Sequence, residues 1–297
     1  MGDTNHRESN PMTDQVTDLV TEQARLDAAG VTHPRADDAA RIVSLVPSIT
    51  ELLFALNLAD RVVGRTTFCI HPAEALATIP RVGGTKTLRL DRLEALAPTH
   101  VIVNIDENRV EDVDAMRRFV PNIIVTHPIE PGDNVALFQL IGAIFDRKQH
   151  SDRLVQSFEE ELAKTRQAAA RLPHRKVLYL IWRDPWMTIS AATYISRMLT
   201  LVNWHTVASD REIRYPEVDL NLAGNDAELV LLSSEPFPFK AQHQEEIASA
   251  LGEQRASDIH LVDGEFVSWY GSRAVEGLRY LRNFAKGVAE KTGRNCG

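Results

Sequence analysis

Cysteine is nearly missing from this chain. Its 297 residues hold two, Cys69 and Cys296, without C-x-x-C spacing, which excludes a disulfide framework. Clustered positive charge is missing too. With 33 Lys and Arg against 41 Asp and Glu, the formal charge is −8 and the isoelectric point near 5.7. No block of Lys and Arg offers counterion release to a phosphate backbone, so nucleic acid is excluded as a partner. Nowhere does a charge-free stretch reach the ~20 apolar residues that cross a bilayer. The first residues carry charges where an export peptide needs an apolar core of roughly 7–15 residues. The expectation is therefore a cytoplasmic protein, or a periplasmic one if a leader precedes the sequence.

Catalytic signatures are absent as well. No G-x-G-x-x-G follows the first apolar strand, and neither a G-x-S-x-G elbow nor an H-E-x-x-H helix occurs. Gly83-Gly84-Thr85-Lys86-Thr87 is similar to the end of a phosphate loop, but the G-x-x-x-x-G-K spacing fails. The paired carboxylates Glu111 and Asp112 ride on a helical stretch and read as a solvated face. The expectation is a protein that is not an enzyme. What is present is an ordinary globular composition, 44% hydrophobic and 25% charged with 15 Gly and 14 Pro, in a chain long enough for two domains.

The pattern of the chain assigns those domains. Residues 1–40 are polar, with one weak amphipathic stretch around Val16 to Leu26, and read as an appendage. At Arg41 a short β-branched run, Ile42-Val43-Ser44-Leu45-Val46, passes into Pro47-Ser48-Ile49-Thr50-Glu51, where Ser48 and Glu51 have capping-box spacing for a helix. Strand and helix patterns then alternate to about residue 150, which argues for parallel strands covered on both faces. Residues 151–173 form one long helical stretch without Gly or Pro until Pro173. About 21 residues at 1.5 Å each span roughly 30 Å. The alternation restarts and runs through 174–297. The expected fold class is α/β: two similar α/β lobes, 41–150 and 174–297, joined by one long backbone helix, with a ligand cleft between the lobes.

Ligands of open α/β sheets bind outside the carboxyl ends of the strands. In the first lobe those segments include residues 47–50, 66–71, 83–87 and 104–108; in the second, 182–186, 233–239 and 266–271. Eight of the 19 aromatic residues fall there: Phe68, Trp182, Trp186, Phe237, Phe239, Phe266, Trp269 and Tyr270. That is dense for loops that only connect.

The run RIVSLVPSITE from Arg41 to Glu51, Val62-Val63-Gly64, IPRVGG from Ile79 to Gly84 and LDRLEALAPTHVI from Leu90 to Ile102 together carry a resemblance. The chain resembles the substrate-binding proteins of ABC transporters for cobalamin and ferric siderophores, the helical-backbone metal receptors, through about Ala285. The resemblance implies a bulky metal-chelate or corrinoid ligand held between lobes that move little, with the first lobe and linker helix behaving as rigid bodies. It also implies that Phe68 presents an aromatic ring to the ligand, with Trp182, Trp186 and Tyr215 as further aromatic contacts. In transporter-coupled members one acidic residue on each lobe meets the permease. Asp91 matches the first, and the second falls near Asp219.

Each candidate also has a plainer reading. Cys69 and His71 form a C-x-H pair that offers soft and borderline metal donors, or else a packed thiol and a loop histidine bonded to backbone. Trp182 and Trp186 flank Arg183-Asp184-Pro185, and indoles can stack on a flat chelate or sit in a core. Trp269 and Tyr270 pose the same choice, whereas Trp204 reads as structural. Arg214 offers a guanidinium to an acidic group on the ligand or belongs to a surface turn. Thr85 and Asn104 lie in the lining segments and complete the set of expected contacts, with Asn104, His71 and Arg214 orienting polar groups.

The sequence therefore predicts a monomeric solute-binding protein for a small-molecule metal chelate, cobalamin-like or ferric, with no resident cofactor or bound metal and with an ABC-transporter permease as the possible partner. Two other readings remain. One is an enzyme handling a tetrapyrrole or metal through His71, His127 and Glu235. The other is a chaperone or sensor that meets a protein through residues 1–38.

Overall fold

The computed structural model of the chain describes residues 24–207 and 212–294. Most of the amphipathic stretch expected at 16–26, and Cys296, lie outside them. The described residues divide into two units, one within Met1–His127 and Ala136–Arg153, the other within Pro128–Val135 and Leu154–Gly297. Both are α/β.

The first unit is built on four parallel strands, β1 (Ile42–Ser44), β2 (Val62–Arg65), β3 (His100–Asn104) and β4 (Asn122–Thr126), in the order β2-β1-β3-β4. β1 and β3 are buried along their whole length, as continuous apolar runs in a covered parallel sheet should be. Between the strands run α1 (Pro47–Ala55), α2 (Ala73–Leu76), α3 (Leu90–Ala95) and α4 (Val110–Met116); α5 (Asp133–Ile144) follows β4. The capping box expected at Ser48 is not formed. The helix starts two residues earlier, on extended Val46, with Pro47 in its first turn and Ser48 buried inside. Proline's fixed φ and missing N–H suit that position, so it takes over the start.

Residues 24–40 bond to this sheet. Leu26 and Thr32 pair as an antiparallel bridge, and the Ala28 N–H donates to the Val125 carbonyl of β4 at 3.0 Å. The buried Asp27 carboxylate accepts from the backbone N–H groups of Ala29, Val31 and Val125 and lies 2.9 Å from His33 Nε2. Burial works against its charge, and these bonds, led by His33, outweigh burial and hold the carboxyl below its usual range.

Helix α6 (Lys148–Ala169) has 22 residues and begins earlier than the apolar pattern indicates. Its Glu161 is buried on α11 (Arg273–Arg294), where Arg282 donates to it at 2.8 Å.

In the second unit β5 (Arg175–Trp182) is central. It pairs in parallel with β8 (Leu229–Ser233) on one side, while β7 (Trp204–Thr206, parallel) and β6 (Met187–Thr188, antiparallel) share the other; β9 (Ile259–Val262) extends the sheet beyond β8. The connecting helices are α7 (Tyr194–Thr200), α8 (Leu220–Asp226), α9 (Ala241–Leu251) and α10 (Gly264–Ser268). α10 occupies part of the stretch expected to be loop. Trp204 is buried in β7 with its ring edge-on to Phe284, a structural position. Among the described residues no helix is long and apolar enough to cross a membrane.

Candidate functional site

In the first unit the carboxyl ends of the strands carry loops that are polar inside and apolar outside. The loop after β2 presents Phe68, 58% exposed, and Ile70, 48% exposed. Beneath them the buried Arg65 guanidinium donates to the carbonyls of Thr66 (3.3 Å), Cys69 (2.9 Å) and Leu76 (2.9 and 3.3 Å). One side chain thus fixes both ends of the segment. Cys69 is packed: its Sγ accepts from Thr50 Oγ1 at 3.0 Å and lies 3.1 Å from Thr66 Oγ1. Burial pushes the thiol up despite those hydrogen bonds, so the thiolate form needed for metal binding is disfavoured. His71, next in the loop, is half-buried.

The Phe68 ring leans on the hairpin at 83–88. The Thr67 N–H donates to the Gly83 carbonyl at 2.8 Å, and Gly83, at φ 109°, pairs with Leu88. A Cβ on Gly84 would stand 3.1 Å from the Phe68 ring, so glycine permits the contact. Asn108 ties this hairpin to the neighbouring loops, donating to the carbonyls of Leu45 (3.3 Å) and Thr85 (3.4 Å). Asn104 is buried, and its Oδ1 accepts from the Asp106 N–H at 2.8 Å while its own N–H donates to Asn108 Oδ1 at 2.9 Å. It shapes the loop that exposes Ile105. His127 Nε2 lies 3.4 Å from Asp106 Oδ2, and Lys86 donates to the Asp106 carbonyl.

In the second unit the corresponding ends gather rings. Trp182, 41% exposed, meets Phe237 edge-on at 5.7 Å, Phe237 packs on Phe239 at 4.7 Å, and Trp186 stacks parallel to Phe239 at 6.2 Å. Arg183 lies 5.9 Å over the Trp186 ring and donates to Glu246 through both Nε and Nη2 at 2.8–3.1 Å and to Asp184 at 2.7 Å. The segment from Arg214 to Val218 runs along β6: Ser190 N–H donates to the Arg214 carbonyl, Thr188 N–H to that of Pro216, and Val218 N–H to that of Trp186. This leaves Tyr215 exposed and Arg214 half-buried.

Trp269 and Tyr270 sit deeper, at 8% and 7% exposure. The Trp269 indole N–H donates to Glu235 at 2.9 Å, and Arg273 lies 4.9 Å over its ring while pairing with Glu265 at 3.1 Å. Tyr270 meets Tyr194 edge-on at 6.0 Å, and the Tyr194 hydroxyl accepts from Asn134. The five indole and phenol candidates therefore separate into outward rings, Trp182 and Tyr215, and inner ones, Trp269 and Tyr270. Trp186 is intermediate.

Asp91 is exposed in the first turn of α3, held by the Arg89 guanidinium at 3.2 Å through both oxygens, which lowers its carboxyl. Asp219, exposed at the start of α8, caps that helix by accepting from the Leu222 N–H at 3.0 Å. Among the described residues, no group of three or more His, Cys, Asp or Glu is gathered as a metal ion would need.

Several of these residues escape sequence reading. Arg65 and Asn108 organise the first unit's loops, and Ile70 and Ile105 enlarge its apolar surface. Arg65 leaves one trace, a charge closing an otherwise apolar strand.

Comparison with known proteins gives a consistent result. The family described as periplasmic binding protein matches residues 42–254. An uncharacterized ABC transporter substrate-binding lipoprotein, YvrC, of Bacillus subtilis is 23% identical over 81% of this chain and 78% of its own length. A vitamin B12-binding protein of Pectobacterium carotovorum is 22% identical over 60% of this chain and 65% of its own length, just under two thirds. Among solved structures, the periplasmic heme-binding protein RhuT of Roseiflexus sp. RS-1 shares the fold with a TM-score of 0.70, at 24% identity over 84% of this chain and 99% of its own.

Proposed function

The chain belongs to the periplasmic binding protein family, and from that premise we propose that it captures a metal chelate of macrocycle size and delivers it to an ABC-transporter permease without transforming it. The observation that carries the reading is Phe68, an exposed ring on a loop braced from within by a buried arginine. Exposed rings cost little rotamer entropy when they stack on a flat guest, and a braced loop has little left to order. Trp182 and Tyr215 add the same kind of surface in the second unit. The names of the relatives, one for vitamin B12 and one for heme, support a metal-bearing tetrapyrrole as the ligand class.

In this reading Phe68, Trp182 and Tyr215 touch the ligand, His71 and Arg214 orient its polar groups, and Asn104 and Thr85 act through the loop they shape. Asp91 and Asp219 are the carboxylates offered to permease arginines, and the lipoprotein and periplasmic names of the relatives support a site of action outside the cytoplasmic membrane. Titration of tryptophan fluorescence with cobalamin, haemin and a ferric siderophore tests the binding. Saturable quenching by at least one, with the ligand recovered unchanged, is expected; no saturable response to any of the three overturns the reading. Fractionation of tagged cells tests the compartment.

A further inference from the structure

Resting on the metal-chelate reading above, we propose that Glu235 selects the ligand by its periphery, accepting a chelate whose arms end in amide N–H donors and disfavouring one whose arms end in carboxylates. Glu235 leaves the carboxyl end of β8 two residues before Phe237, and the Phe237 N–H donates to the Ile181 carbonyl at the end of β5. The carboxylate therefore stands at the same edge of the second unit as the rings of Trp182 and Phe237.

Its setting is built. Oε1 accepts from both Ser268 Oγ and Trp269 Nε1, two donors supplied by the end of α10. The Glu235 backbone N–H donates to Ser233 Oγ at 3.3 Å, and that hydroxyl in turn accepts from the buried Tyr179 hydroxyl at 3.0 Å. Gly264 completes the seat, since a Cβ there would stand 2.6 Å from Glu235 Cγ and 2.4 Å from Ser233 Oγ. Both neutral donors fall on one oxygen, which leaves Oε2 without a hydrogen bond among the described residues, an acceptor fixed in position by the other half of its own group.

The carboxylates that act on it, Glu265 and Asp263, carry its own sign. Burial pushes the Glu235 carboxyl up against the bond from Ser268, and Glu265 and Asp263 add smaller pushes in the same direction as burial. The arginines that would welcome an anion are engaged: Arg183 by Glu246 and Asp184, Arg273 by Glu265 and the rings of Phe266 and Trp269. A carboxylate arm brought here meets a fixed carboxylate with no free cation supplied by those two residues, whereas an amide arm gains a charge-assisted hydrogen bond. Such discrimination works chiefly against the wrong ligand.

The test uses the full chain at pH 8 with three probes: cobalamin, whose corrin arms are amides; haemin, whose arms are two carboxylates; and the dimethyl ester of haemin, which keeps the ring and removes the charges. Cobalamin is expected to bind at least tenfold more tightly than haemin, and the ester at least fivefold more tightly than haemin. Glu235→Gln, with its fold checked by thermal melting, should narrow both ratios at least threefold. The ester comparison needs no variant, so it decides the matter even where Glu235→Gln does not fold. Haemin binding as tightly as its ester, or ratios unmoved in a folded Glu235→Gln, would overturn the assignment and hand selection to Arg214. Failure of all three probes to bind sinks the metal-chelate reading itself, and the role of Glu235 with it.

Discussion

The two units end their strands in different ways. In the first, charged and amide side chains turn inward to hold backbone carbonyls, and the apolar groups Phe68, Ile70 and Ile105 are left outside. In the second, the rings pack largely on each other, and the charged groups pair among themselves beside them. The first arrangement makes a braced surface of exposed apolar groups. The second spends much of its aromatic area on its own packing and keeps a fixed carboxylate at the rim. On the proposed function, adhesion and selection are separate jobs, and each should be removable without the other.

The sharpest way to break the comparison is Arg65→Ala. It strands three carbonyls that a single guanidinium now holds, at a cost of about 3 kcal/mol or more, read as a lower urea midpoint. An equal loss from Arg183→Ala, whose partners Glu246 and Asp184 reach water, would erase the distinction between inward and surface charge.

Acid should separate the units next. Burial, with His33 adding and Asp37 opposing, drives His100 of β3 from 6.5 down to about 4. Between those values the unfolded chain takes up a proton that the folded chain refuses. The His100 contribution is therefore intact above pH 6.5 and is lost as pH falls to 4, about 3 kcal/mol in all. In the second unit Glu161 is held at about 2 by Lys164, against burial, with Arg282 helping. Its contribution is full above 4.5 and lost only as pH falls through 2. Urea midpoints measured from pH 7 to 3 should decline mostly between 6.5 and 4, and His100→Gln should flatten that decline. A flat wild-type profile over that window would contradict the burial of a neutral histidine.

How much of this was legible depends on what writes a pattern. β1, β3 and β8 read directly because continuous apolar runs have few other uses, and the long helix announces itself by lacking Gly and Pro. β6 and β7 did not read, since strands of two and three residues carry no period. The hairpin at 24–33 stayed hidden because one aspartate, not an apolar face, holds it. In the site, the loop of Phe68 was legible by resemblance and by its place after a strand. Trp182 and Trp269 look alike as letters, and what parts them is tertiary: Glu235 and Arg273 draw Trp269 inward, and no spacing in the chain encodes that meeting. Arg65 was missed for a related reason, because a buried arginine satisfied by carbonyls has no partner residue type to look for.

Adhesion itself is tested by Phe68→Ala and Trp182→Ala. Phe68 is exposed, so its removal should leave the urea midpoint within about 0.5 kcal/mol and weaken binding of the chelate that responds in the fluorescence titration by about tenfold, ~1.4 kcal/mol. Trp182→Ala should weaken binding similarly but also cost about 0.5–1.5 kcal/mol of stability, because its contact with Phe237 goes too. Equal stability losses from the two would mean that the first unit's ring is not outward-facing in solution.

The smallest effect is the most specific. Gly84→Ala would set a methyl group 2.8 Å from Thr87 Oγ1 and 3.1 Å from the Phe68 ring. The Thr87 side chain is exposed and can turn away, so the ring is left to yield by a few tenths of an ångström. Stability should move by less than about 0.5 kcal/mol, while affinity falls about twofold, a loss of about 0.4 kcal/mol. Fluorescence titration of the variant beside Phe68→Ala reads the difference. If Gly84→Ala binds like the unaltered protein while Phe68→Ala does not, the ring adapts to its guest, and the stiffness supplied by Arg65 ends short of the side chain it was taken to orient.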